Sequence, residues 1–205
     1  SLFKGVDVHI LAYNFNPKNQ ELLDILKSIQ KGRYIRAEKI IKKLKKMGIN
    51  VQMSRVLDIT GNNNLIGRPH IARVMVENGN CKSVNEAFVN FLSENSPAYV
   101  LKPTPSIDKV IKIIKNAGGI SVLAHPHTLC NDDYIYDFIK LGLDGIEAYY
   151  AKYTTEKVQH YNEIALKNGL IRTGGSDFHG HINDFNFMGN YSAPEFVLDE
   201  ILKSK

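Results

Sequence analysis

Two periodicities divide the chain. Between residues 51 and 99 apolar positions recur at helical spacing with no clear strand, whereas on either side short β-branched runs alternate with amphipathic helices. The first such run, Val6-Asp7-Val8-His9-Ile10-Leu11-Ala12-Tyr13, is of β type, holds His9 inside it, and ends in a turn around Pro17. A helix follows over 21–29. A longer one comes next, with Ala37, Ile40, Ile41, Leu44 and Met47 on one face, lysines on the other and Gly48 as its stop. Within the helical stretch Ser54 caps a short helix ending near Gly61, residues 62–64 are a polar loop, Pro69 marks a helix start, and Ser83-Val84-Asn85-Glu86 is a capping box.

After Pro97 the alternation becomes regular. Ser106 caps a helix that Gly118-Gly119 end, and Ile120-Ser121-Val122-Leu123-Ala124 is an apolar strand. Helices over 134–141 and 155–168 then alternate with strands over 145–150 and 169–173, and Pro194 starts a terminal helix that docks on the body. The repeated helix-then-strand order predicts an α/β fold of parallel strands with helices outside, as an open sheet or a barrel.

Two of these strands end in metal-ligand chemistry. Thr173-Gly174-Gly175-Ser176-Asp177-Phe178-His179-Gly180 brackets a carboxylate and an imidazole with glycines, and the strand before Pro126 leaves His125 at its C-terminal end. Such ends are where α/β folds build sites, and Asp with His suits Zn, Mn or Fe. Gly67-Arg68-Pro69-His70 at a helix start adds a candidate anion site. Glu147, His160 and His181 read mainly as structural, and His127 either as a ligand or, the favoured reading, as a rim residue. No glycine-rich phosphate loop of Rossmann or Walker type and no G-x-S-x-G elbow is present; Ser176 carries no mark of an activated nucleophile.

Composition narrows the class. With 205 residues, 43% of them hydrophobic, the chain can bury a substantial core, and no apolar run suits a bilayer span. Cys81 and Cys130 lie far apart, outside any C-x-x-C pattern, so the chain reads as reduced and cytoplasmic. The net charge of +5 gathers largely at 39–46, on one helix without interleaved aromatics; that is a wet helix face which leaves anionic substrates open.

These residues resemble the PHP (polymerase and histidinol phosphatase) superfamily of metal-dependent phosphoesterases. The carrying motifs are Val8-His9-Ile10-Leu11-Ala12-Tyr13, Gly67-Arg68-Pro69-His70-Ile71-Ala72, Leu123-Ala124-His125-Pro126 and Gly174-Gly175-Ser176-Asp177-Phe178-His179-Gly180. The resemblance implies part of a distorted seven-stranded (β/α) barrel formed by residues 1–30 and 100–205, with an all-helical insertion at 31–99 as substrate cap. It points to the small stand-alone branch acting on nucleotides and short RNA. It implies two or three divalent ions (Mn, Zn or Fe), with His9, His125, Asp177 and His179 as ligands. Asp177, His179 and Arg68 would be catalytic, and Arg68, His70, Lys102 and Ser176 would bind the substrate, a phosphorylated small molecule, nucleotide or short oligonucleotide. The rival readings are a non-catalytic module contacting nucleic acid or a polymerase, and a histidinol-phosphate phosphatase.

One departure is large. The family opens on a His-x-His strand, an Asp-His pair and a bridging Glu, none of which stands here. The expectation is therefore of the C-terminal portion of such an enzyme, beginning inside a longer protein. By itself it would bind metal incompletely, act weakly and self-associate through exposed edges.

Overall fold

The computed structural model describes residues 1–61, 65–178, 189 and 191–203, so the loop at 62–64, His179 and His181 lie outside the described residues. The chain forms two compact units, one of Ser1–Leu23 with Pro105–Lys205 and one of Asp24–Thr104.

In the first unit β1 (Leu2–Phe3) and β2 (Val6–Asp7) make an antiparallel hairpin. Lys4 and Gly5 turn it with φ of +47° and +87°, the paired positive values that match strand twist. The β run expected over 6–13 is thus broken at Val8 and His9. Val8 goes into the core at 1% exposure, and β3 (Ile10–Tyr13) begins after His9. Instead of sitting inside a strand, His9 stands at a strand junction, its carbonyl accepting from the Ala124 N–H at 3.0 Å.

A four-stranded sheet follows the order β3, β4 (Ile120–Leu123), β5 (Gly145–Tyr150), β6 (Ile171–Gly175). β4, β5 and β6 are parallel, as the helix–strand alternation predicts, but β3 is antiparallel to β4, with Ile10 opposite Leu123. The parallel rule applies to single crossovers, and β3 reaches β4 only after the whole helical stretch. Ile146 and Ala148 of β5 are fully buried and share a core with Ile111, Phe138 and Ile164 of the helices Ile107–Asn116, Asp133–Lys140 and Thr155–Asn168.

The pairing of β5 with β6 slips between Glu147 and Tyr149: Glu147 faces Thr173, and Tyr149 faces Gly174. A side chain at Gly174 would meet the Tyr149 carbonyl oxygen at 2.3 Å, so the slip requires glycine there. The terminal helix Phe196–Lys203 docks through Glu200, which accepts from the Arg172 backbone N–H (3.0 Å) and its guanidinium. Burial pushes Glu200 up, but its bonds to Arg172 and that cation together hold it below the ordinary carboxylate value. A depressed folded-state pKa gives stability that is present above the unfolded pKa and lost as pH falls. Glu200→Ala is accordingly expected to cost about 2 kcal/mol at pH 7, with the difference from the parent shrinking in urea melts as pH falls below the ordinary carboxylate range.

The second unit is helical: most of the long helix Gln20–Lys46, which starts in the first unit, with Met53–Thr60, Arg68–Glu77 and Val84–Ala87, the last running into a π-helical turn at Phe88–Leu92. The two helices expected around residue 30 are one. Gly32 does not break it, because this position faces Pro103, whose ring would lie 3.0 Å from an added side chain. Ala37, Ile40 and Leu44 pack on Val56, Ile71 and Met75. The Ser83 hydroxyl accepts from the Glu86 N–H (3.1 Å), while the Glu86 carboxylate reaches past Ser83 to the Lys82 N–H (2.6 Å). Among the described residues no helix is long and apolar enough to cross a membrane.

Candidate metal centre

The C-terminal ends of β4, β5 and β6 carry the candidate chemistry. Pro126 ends β4 in a short 3-10 turn, and this puts His125 in the left-handed region at φ +31°. The residue is 9% exposed and its ring is oriented from behind: the Thr128 hydroxyl donates to the His125 carbonyl (3.1 Å), leaving its oxygen to accept from His125 Nδ1–H (3.2 Å). That assigns the ring proton to Nδ1 and the free lone pair to Nε2. His9 Nδ1 lies 3.0 Å from this Nε2. With Nε2 of His125 as the acceptor, His9 Nδ1–H donates across this contact.

The same spacing suits a cation. Two nitrogens held at right angles about 2.1 Å from one ion lie about 3 Å apart, a spacing compatible with a shared metal. The Thr128 contact is the kind of outer bond that fixes a ligating imidazole. Among the described residues, no group of three or more His, Cys, Asp or Glu side chains is placed to hold a metal ion.

Glu147 lies directly behind them. It is 6% exposed, and its carboxylate accepts the His125 backbone N–H at 2.7 Å. Burial pushes it up to about 7, the His125 N–H opposing this and the charge of Asp177 adding to it. By residue type alone Glu147 reads as structural. The available signal was a lone carboxylate inside the otherwise uncharged buried strand Gly145–Tyr150. A raised folded-state pKa favours the fold below the unfolded value and loses that advantage as pH rises through about 7. In chelator, Glu147→Gln is therefore expected to match the parent near pH 4 and to exceed it by about 2 kcal/mol at pH 8.

Asp177, two residues past β6, is also left-handed at φ +52° and accepts from the Tyr150 hydroxyl at 3.2 Å. Burial and the Asp177 and Glu147 charges push Tyr150 up to about 12, so it donates at neutral pH. His127 stacks on Tyr150 with ring centroids 5.1 Å apart, and its Nδ1 is 3.3 Å from the Tyr153 hydroxyl. Burial, Lys157, His125 and Lys152 all lower its pKa, Asp177 opposing them.

A solved structure from Bifidobacterium adolescentis described as a metal-dependent phosphoesterase is 30% identical, superposes at a TM-score of 0.84, and is matched over 99% of this chain and 73% of its own. The chain belongs to the PHP superfamily of metal-dependent phosphoesterases. A 3′,5′-nucleoside bisphosphate phosphatase of Chromobacterium violaceum is 32% identical over 178 residues, and a 5′-3′ exoribonuclease of Haemophilus influenzae is 29% identical over 182. These matches take in 84% and 86% of this chain and span 62% and 66% of those relatives. No family model matches.

Of the PHP-type ligands expected from sequence, His9 and His125 meet, Asp177 follows β6, which β5 separates from β4, and His179 lies outside the described residues. Ser176 is half-buried beside Asp177. In the helical unit Arg68 donates to the Leu92 carbonyl (3.0 Å), with its guanidinium over the Phe88 and Tyr99 rings. His70 Nδ1 accepts the Gly67 N–H at 3.0 Å and so caps its own helix, which leaves the ring proton on Nε2. Burial and the nearby Arg73 and Arg33 lower the His70 pKa and keep it neutral at pH 7. Lys102 is half-buried in the same unit. His160 pairs with Asp132 at 2.7 Å on the surface.

Proposed function

We propose that this chain carries a metal-dependent phosphoesterase site that hydrolyses a terminal phosphate or phosphodiester of nucleotides or short oligonucleotides. The observation that carries the reading is the His9–His125 pair, 3.0 Å between nitrogens, backed by Thr128 and by the buried Glu147. The four strands β3 to β6 fit part of a distorted seven-stranded barrel, and residues 31–99 an all-helical cap for substrate.

Two or three divalent ions, Mn, Zn or Fe, would supply Lewis-acid charge toward the phosphoryl oxygens and a water of lowered pKa. His125 offers the Nε2 lone pair that Thr128 keeps free, and His9 becomes a ligand once its Nδ1 proton leaves. Asp177, steadied by the Tyr150 hydroxyl, and His179 would join the ligand set. Glu147, with its pKa near 7, holds a proton close to the His125 backbone and can exchange it as charge at the site changes. Arg68 stabilises charge on the phosphoryl group, the neutral His70 offers its Nε2–H, and Lys102 and Ser176 add donors to phosphate oxygens. The names of the phosphatase and exoribonuclease relatives support the nucleotide class.

Phosphate and nucleoside release would be followed with Mn present, using a nucleoside 3′,5′-bisphosphate, a 5′-phosphorylated oligoribonucleotide and histidinol phosphate. Weak turnover of either nucleotide substrate is expected. Turnover of histidinol phosphate alone, or of none while metal is bound, would overturn the assignment.

A further inference from the structure

The merged helix Gln20–Lys46 brings an aromatic into a basic stripe. Lys27, Gln30, Lys31 and Tyr34 recur at intervals of three and four residues, and with Leu57 from the helix Met53–Thr60 they line a cavity of about 360 Å³ in the helical unit. Lys27, Lys31 and Tyr34 are exposed, Tyr34 at 40%. Among the described residues neither Lys27 nor Lys31 has a carboxylate at ion-pair distance.

We propose that this cavity binds single-stranded nucleic acid, with Lys27 and Lys31 on the backbone phosphates and a base stacked on Tyr34. Each part answers a part of the ligand. A positive groove tracks a phosphodiester backbone, and an aromatic face accepts any base without reading its edge. Lys27 and Lys31 are about 6 Å apart along the helix axis, a spacing of the order of successive phosphates on an extended strand. Leu57 supplies an apolar floor beside the ring, and Gln30 a neutral donor and acceptor. Glu38, one turn beyond Tyr34, bounds the stripe, because its carboxylate repels a phosphate.

The test uses strands that present no terminal phosphate. A fluorescent 5′-hydroxyl oligouridylate is titrated with the whole chain in chelator and followed by anisotropy at several salt concentrations. Tyr34→Leu is expected to weaken binding about tenfold and Tyr34→Phe to leave it intact. The double variant Lys27→Gln/Lys31→Gln is expected to flatten the salt slope by about 1.4. His125→Ala should bind the strand like the parent, so this surface and the proposed hydrolytic site fail independently. Binding that is absent, or equal in Tyr34→Leu and the parent, overturns the proposal. So does equal binding of an acidic peptide of matched charge, which would make the groove a protein-docking surface.

Discussion

Alanine at His125 is expected to remove metal binding and, with it, the weak phosphate release. Replacing a partner that only orients a ligand typically costs 10- to 100-fold in metal affinity, so loss of the ligand itself should cost more than about 100-fold. Thr128→Val provides the intermediate step. It frees Nδ1 of His125 from its hydroxyl partner while leaving both imidazoles in place, and should weaken Mn or Zn binding by about 10- to 100-fold. Calorimetric titration of the chelated protein measures both. A His125→Ala variant that binds metal like the parent would show that the pair is a structural contact.

The second large effect lies in the backbone. Gly174→Ala places a methyl group 2.3 Å from the Tyr149 carbonyl oxygen and 2.5 Å from the Tyr149 Cβ, distances that no rotamer relieves because one of the atoms met is main chain. Either β6 separates from β5 or the slip between Glu147 and Tyr149 is lost, at an expected cost of about 3 kcal/mol or more. Gly175→Ala is the control: its nearest neighbour, the Glu147 Oε1, would be 3.7 Å away, an ordinary contact. Urea melts should separate the two variants sharply. Equal stability would mean that the slip does not depend on glycine at 174.

The sequence was most informative where one period ran uninterrupted. Helix Thr155–Asn168, strand Gly145–Tyr150 and the turn after His125 stand where the pattern of apolar residues and Pro126 put them. It was least informative where tertiary contacts override local preference. Gly32 looks like a break until Pro103 is seen against it, and this hid the fact that Tyr34 shares a helix face with Lys27 and Lys31. The junction at His9 is set by burial of Val8 and by pairing to Ala124, neither of which has a local signature. For the site, residue types alone pointed to His9, His125 and Asp177. The role of Glu147 depends on a bond to a backbone N–H twenty-two residues away in sequence, which spacing does not reveal.

The central claim is that the imidazole pair belongs to a divalent-metal centre that hydrolyses nucleotide phosphates. It is tested most directly by titrating Mn into the chelated chain while phosphate release from a nucleoside 3′,5′-bisphosphate and bound metal are measured in the same samples. Release that rises in step with bound metal and disappears again on chelation is the expected result. Release that is unchanged by chelation, or absent when metal is fully bound, would contradict it.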